Sequence, residues 1–309
     1  MRFDQFLEEY NRLNNSFIRK LVFRLGYDGG FFSEYNNMVF AILFCLNKRI
    51  KFTLSSINNN FSEVGWVEYF EEFCPEDFDK FHIKHNTRQY SRPSIRQQIK
   101  RYLHILSTKT YLTQDLWLKF HNTKFEKKTF KIDQLAINSD FFGACKYIIK
   151  LTWRYNTETL EKINRIIYKI NLPKKYLAVH IRKGDKFKES GIIPSETYIN
   201  KLKKSSTIKD YFVLTDDYEV ITELNLLFPE LTFYHLTDSE GKGYDHNLFS
   251  HLNSSTKKDA LLKLFASIEI MSAAQFSMCT FSSNVGLFLG MRNGISNTFD
   301  VEGNELHIW

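Results

Sequence analysis

Tyr176-Leu-Ala-Val-His-Ile-Arg-Lys-Gly-Asp-Lys186 decides how this chain is read. Its first half is a short apolar run of strand formers, and its second half is charged. In an α/β protein the carboxyl end of such a strand opens into a crevice where ligands bind. Arg182 brings a planar fork suited to phosphate oxygens, Lys183 and Lys186 add charge, and Gly184 lets the backbone come close. A plain solvated basic loop reads equally well from these residues alone.

The surrounding pattern makes this strand one of a series. Strands are expected at 176–181, 211–214, 231–236 and 276–281, separated by helical periodicity at about 195–206, 217–228 and 257–274. That alternation is the grammar of a parallel, doubly wound sheet. Upstream, a helix is expected at 3–14, strands at 21–25 and 50–54, and helices at 31–47, 88–102 and 141–170. Pro173 disfavours helix just before it and places the domain boundary there, dividing the chain into 1–172 and 173–309.

Two more strand ends carry chemistry. Leu214 is followed by Thr215-Asp216-Asp217, where two carboxylates suit ribose hydroxyls or base N–H groups, a helix cap, or a divalent metal. The metal reading is the weakest, because no third ligand accompanies the pair. Cys279-Thr-Phe-Ser-Ser-Asn-Val285 runs from a strand into a helix, and Ser282, Ser283 and Asn284 form either a phosphate cradle or a simple cap. Near the start, Gly26-Tyr-Asp-Gly-Gly30 links a strand to a helix, so Gly29 and Gly30 offer a weaker anion-binding turn or a plain tight turn. A cationic lip, a carboxylate pair and a hydroxyl cradle at one sheet edge together suit a nucleoside diphosphate.

Composition narrows the classes. The 309 residues carry a net charge of +7 and a pI near 9.0, compatible with nucleic acid, an anionic membrane or an anionic substrate. The basic residues form no nucleic-acid-binding signature, so nucleic acid is a minor reading. Phenylalanine and tyrosine number 29 and 16, an excess read mostly as core, with some rings free to line pockets. Cys45, Cys74, Cys145 and Cys279 are widely spaced without metal-ligand pattern, which fits a reducing compartment. No leader or membrane span is expected, since the longest apolar run, Met38 to Leu46, is too short. A soluble cytoplasmic protein is the expectation. Neither a nucleophile elbow nor a Ser-His-Asp order supports hydrolase chemistry.

Five ordered motifs give the sequence a family likeness: Gly26 to Asn37, Gly65-Trp-Val-Glu-Tyr-Phe70, His180 to Lys186, Leu214-Thr-Asp-Asp217 and Cys279 to Val285. Over residues 20–295 it resembles the α-1,6-fucosyltransferases, the group holding the core and the rhizobial nodulation enzymes. The resemblance implies a GT-B-like fold of two Rossmann-type α/β domains facing across a cleft. It implies GDP-fucose as donor, an oligosaccharide acceptor, inversion at the anomeric carbon, no cofactor and no metal. By position, Arg182 would stabilise the leaving GDP with help from Lys186. His180, Asp185, Asp216, Asp217, Ser282, Ser283 and Asn284 would line the donor, with Gly29 and Gly30 approaching from the first domain. Glu189 is the expected base, one residue earlier than in the family. Glu269 is the expected stand-in for a family aspartate aligned with Ser267. An α-1,2 enzyme, a transferase of another GDP-sugar and a non-catalytic nucleotide-sugar binder are the alternatives.

Overall fold

In the computed structural model, residues 2–26, 29–86, 94–116, 125–183, 193–241, 243–244, 246–303 and 306 are described. They form two compact units, Met1–Asn156 and Thr157–Trp309.

The first unit contains α1 (Phe3–Asn15), β1 (Arg19–Arg24), α2 (Phe31–Lys48), β2 (Ile50–Ser55), α3 (Lys80–His85), α4 (Ile95–Thr108), β3 (Thr110–Leu112), β4 (Phe130–Ile132), β5 (Ile137–Ser139) and α5 (Phe141–Thr152). Its main sheet is parallel, in the order β2-β1-β3. β4 and β5 form a separate antiparallel pair. β1 is central, so Leu21, Val22 and Phe23 are buried on both faces, as a parallel strand covered by helices requires. α2 is buried along almost its whole length, apolar from Met38 to Leu46 and with Glu34, Asn36 and Asn37 buried in its first turns. Asn14 ties α1 to this sheet: its side-chain amide donates to the Phe52 carbonyl (2.9 Å) and accepts from the Phe52 N–H (2.7 Å).

The aromatic excess is largely the core of this unit. Phe31, Tyr35, Trp66, Phe70 and Trp153 are buried together, with centroids of Trp66–Phe70 at 4.3 Å and Tyr35–Trp153 at 5.0 Å. The buried Tyr35 hydroxyl finds Thr152 Oγ1 at 2.7 Å, which satisfies the ring's polar end.

A buried histidine should make this unit sensitive to acid. His82 is 3% exposed, with Asp77, Asp79, His104 and Lys20 around it. Burial outweighs the neighbouring carboxylates and lowers the His82 pKa below its ordinary 6.5. The neutral ring is therefore the folded form. Its contribution is complete above the unfolded pKa and is lost as pH falls through the folded value. The first unit should melt at lower temperature when pH drops from about 7 to about 5, and His82→Gln should flatten that slope. An unchanged slope would remove His82 from the account.

The second unit runs α6 (Thr157–Ile170), β6 (Leu177–Ile181), α7 (Ser195–Lys203), β7 (Asp210–Thr215), α8 (Tyr218–Leu227), β8 (Thr232–His235), α9 (His246–His251), α10 (Ser254–Ala273), β9 (Ser277–Cys279), α11 (Asn284–Asn293) and β10 (Thr298–Asp300). All five strands are parallel, ordered β10-β9-β6-β7-β8. Leu177, Val179 and Ile181 pack with Tyr198 and Ile199 of α7 and Val220 and Leu224 of α8. Ala178 and His180 alternate onto the opposite face.

The expected helix 141–170 is two helices. Residues 153–156 leave helical geometry because they pair with the 67–71 segment. The Glu71 N–H donates to the Arg154 carbonyl (2.8 Å), and the Asn156 amide donates to the Val67 carbonyl (2.8 Å). α6 packs along α10, so the unit division falls after Asn156 instead of near Pro173. The expected helix at 88–102 is described only from Ser94, which begins α4 with a capping box to Gln97. All four cysteines are free, and burial raises their thiol pKa values.

Candidate functional site

The strand order reverses next to β6. The chain steps from β6 to β7 to β8, then returns by α10 to the other side of β6 as β9. A crevice forms at such a switch point, beyond the carboxyl ends of β6 and β9. Arg182 and Lys183 follow β6 there, and Thr280 to Ser283 follow β9.

Strand alternation separates the two cations. Lys183 continues the Leu177, Val179, Ile181 face, and its Nζ lies 3.0 Å from Glu223 Oε2 of α8. The Ser195 hydroxyl donates to that same oxygen at 2.9 Å. Arg182, half-buried, shares the face of His180, whose ring is buried within the strand end. Lys183 is thus neutralised beside α8, while Arg182 stands at the lip.

The two aspartates after β7 have different tasks. Asp217 caps α8, accepting the Glu219 N–H at 2.9 Å. Asp216 ties two loops together: Oδ1 accepts the Lys183 N–H (3.1 Å) and Oδ2 accepts the Tyr244 N–H (3.0 Å). Its carbonyl also accepts the Gly243 N–H at 2.9 Å. The carboxylate therefore sets the path of the backbone immediately after Arg182. Asp216→Asn leaves one amide oxygen for two backbone donors and should destabilise the second unit by about 2 kcal/mol. Asp217→Ser keeps a cap and should stay within about 0.5 kcal/mol of wild type in a urea melt. Equal losses would contradict this division of labour.

Ser283 caps α11, accepting the Gly286 N–H (2.9 Å) while its hydroxyl donates to the Thr280 carbonyl (2.8 Å). It is buried, whereas Ser282 and Asn284 are half-buried beside the helix start. The helix N-terminus is electropositive and directs N–H groups outward, which favours an anion. Gly286 is required by close approach, since a Cβ there would lie 2.1 Å from the Thr280 carbonyl oxygen. Tyr198 holds the same loop through Thr280 Oγ1 at 2.7 Å; burial pushes its phenol up to about 12, so it is neutral at physiological pH.

Glu269 has a partner of its own. It forms a bidentate pair with Arg292 at 2.8 and 2.6 Å, joining α10 to the last turn of α11. From Asn284 to Arg292 the helix travels about 12 Å, so the pair lies well away from the start of α11. The carboxylate expected to contact the donor is bound as a helix–helix strut. Ser267, beside it in the sequence argument, is buried and donates to the Lys263 carbonyl.

In the first unit, Gly30 opens α2 as its N-cap and Gly29 is buried just before it. Gly26 ends the β1 segment at φ +71, where a Cβ would lie 2.9 Å from the Phe61 ring. Arg24 fixes this corner, donating to the carbonyls of Ile57 (2.6 Å) and Asn58 (2.7 Å). Burial brings its guanidinium down to about 10, with the Glu34 and Glu76 carboxylates opposing that change. Asp185, Lys186 and Glu189 lie outside the described residues.

Sequence reasoning passed over Asp300 and Glu223. Asp300 accepts the Phe281 N–H (2.7 Å) and the Glu302 N–H (3.1 Å), so it sets the loop after β9. Its bond to a residue two further on is an Asx-turn, a signal present in Thr298-Phe-Asp-Val-Glu302. Glu223 left no local mark, because its partners are 40 and 28 residues away. Among the described residues no group of three or more His, Cys, Asp or Glu side chains is placed to hold a metal ion. Nor is any described helix long and apolar enough to cross a membrane.

Comparison with known proteins agrees with this architecture. The alpha-1,6-fucosyltransferase NodZ, soaked with GDP-fucose, superposes with a TM-score of 0.54 at 12% identity, covering 88% of this chain and 92% of that one. NodZ from Bradyrhizobium superposes with a TM-score of 0.54 at 11% identity, covering 91% and 93%. The co-crystal of NodZ with GDP gives a TM-score of 0.54, with 11% identity and 91% and 92% coverage. At such identities the likeness is one of fold. No curated protein sequence matches the chain. The model of a protein family, described as alpha-(1,6)-fucosyltransferase N- and catalytic domains, matches residues 8–288. With a GT-B-like α/β fold and a family match spanning most of its length, the chain belongs to the α-1,6-fucosyltransferases.

Proposed function

We propose that the chain transfers fucose from GDP-fucose to a hydroxyl of a glycan acceptor, forming an α-1,6 linkage with inversion and without a divalent metal. The observation that carries this reading is the strand-order switch between β6 and β9, where Arg182 follows one strand and the electropositive start of α11 follows the other. Family membership supports the reaction, and the NodZ structures with GDP and GDP-fucose support the donor.

The chemistry needs two things from the protein. As the bond from the anomeric carbon to the diphosphate oxygen breaks, both its electrons leave with GDP. A fixed cation that grips harder as this charge grows lowers the barrier selectively. Arg182 takes that role, with Lys186 assisting. Ser282 and Asn284 face the diphosphate at the helix start that Ser283 caps, with His180 behind it and Asp185 close by in sequence. Asp216 shapes the second unit's part of the site by fixing its loops. The acceptor hydroxyl supplies the electron pair of the new bond and gives its proton to a base, assigned to Glu189.

The test is fucose transfer to a glycan panel with GDP-fucose, in chelator and in added Mg2+ or Mn2+, with linkage analysis of the product. Equal α-1,6 product under both conditions supports the reading. Transfer only with added metal overturns metal independence. An α-1,2 product or preference for another GDP-sugar overturns the specificity. Tight GDP-fucose binding without transfer or slow donor hydrolysis makes the chain a binding protein.

A further inference from the structure

α4 is turned inside out. A surface helix ordinarily directs its apolar stripe toward the core. Here Ile95, Ile99, Tyr102, Leu103 and Leu106 are 77, 54, 63, 58 and 57% exposed. At 100° per residue they lie within one stripe about 100° wide. The polar side faces the protein. Arg101 is 9% exposed, with its guanidinium 3.8 Å from Asp115, and His104 stacks on Phe81 at a centroid distance of 3.8 Å.

Charge says what covers the stripe. From Lys80 to Lys109 the sequence holds eight lysines and arginines and no aspartate or glutamate. Within α4, Arg96 and Lys100 are exposed along one margin of the stripe. An apolar face with a cationic margin, and a tyrosine in the face, is the composition of a helix that lies in a bilayer interface. We propose that α4 docks this face on a membrane surface rich in acidic phospholipids, with its 14 residues parallel to the plane and the stripe among the acyl chains. A second copy of the chain fits poorly, because its matching segment brings the same excess of lysine and arginine and no carboxylate to meet it. Nucleic acid would satisfy the cations but offers no apolar volume to isoleucine and leucine. The inference is independent of the transfer reaction.

The test is co-sedimentation of the full chain with phosphatidylcholine vesicles, with and without phosphatidylglycerol. Binding is expected only with phosphatidylglycerol, and it should weaken with salt. Each cation near an acidic surface contributes about fivefold, so Arg96→Gln with Lys100→Gln should lose roughly 25-fold. Ile99→Glu with Leu103→Glu should abolish binding; both sites are exposed, so the thermal midpoint should hold. Undiminished vesicle binding by that double variant overturns the proposal. So does dimerisation that the same variant abolishes in the absence of lipid, or retention on RNA without vesicle binding.

Discussion

Arg182→Ala should lower fucose transfer by at least about 100-fold, the scale of loss when one fixed donor to a developing anion is removed. The position argues for the size of the effect. Arg182 follows the central strand of its sheet at the point where strand order reverses, and Asp216 holds the next backbone N–H. Lys183, the neighbouring described cation, is engaged by Glu223 on the α8 side. If Arg182 grips the leaving group chiefly in the transition state, kcat should fall more than donor affinity. Arg182→Lys should recover only part of the rate, since an ammonium lacks the planar fork. Steady-state release of GDP with saturating acceptor reads all three enzymes. A kcat for Arg182→Ala within a few-fold of wild type would move the leaving-group role to another residue.

Gly286→Ala should have the largest effect on stability. The added methyl would meet the Thr280 carbonyl oxygen at 2.1 Å, and that carbonyl already accepts from the Ser283 hydroxyl and the Ser283 N–H. Either the strand end or the first turn of α11 must shift. Overpacking of this kind costs about 1–3 kcal/mol, and loss of the Ser283 cap adds about 1 kcal/mol. For a unit of this size the midpoint should fall on the order of 10 °C. The shift also displaces the helix start, so GDP should protect the variant less than wild type in the same melt. Gly290→Ala is the comparison: its Cβ meets the flexible Leu306 side chain at 2.6 Å, so the loss should be smaller. Equal losses in the two variants would mean that the close approach at Thr280 is not the cause.

The second unit was largely legible because its signals are local. Each expected strand from 176 to 281 has a counterpart, and each is an apolar run ended by a turn residue or a charge. β3, β4, β5 and β10 went unseen because three residues carry no period. The helix break at Trp153 was hidden for a different reason: its cause is a partner segment some 85 residues upstream.

The site divides in the same way. The location of Arg182, the carboxylate pair and the serine run at strand ends could be read from the chain. Their division of labour could not. Nothing in Leu214-Thr-Asp-Asp217 says that the second aspartate caps a helix while the first ties two loops. Glu269 was misleading because sequence proximity to a family position ignores direction. Its oxygens are taken by Arg292, a residue 23 positions away.

Sequence by itself determined the α/β alternation, the family and the residues brought to the sheet edge, because period and turn chemistry are written into neighbouring residues. Tertiary structure decided which of those residues cap helices, tie loops or join helices. It also decided that α4 turns its apolar face outward, since a periodic stripe is the same string of residues whether it meets a core or solvent. Direction is a property of packing, and packing is settled between segments distant in the chain.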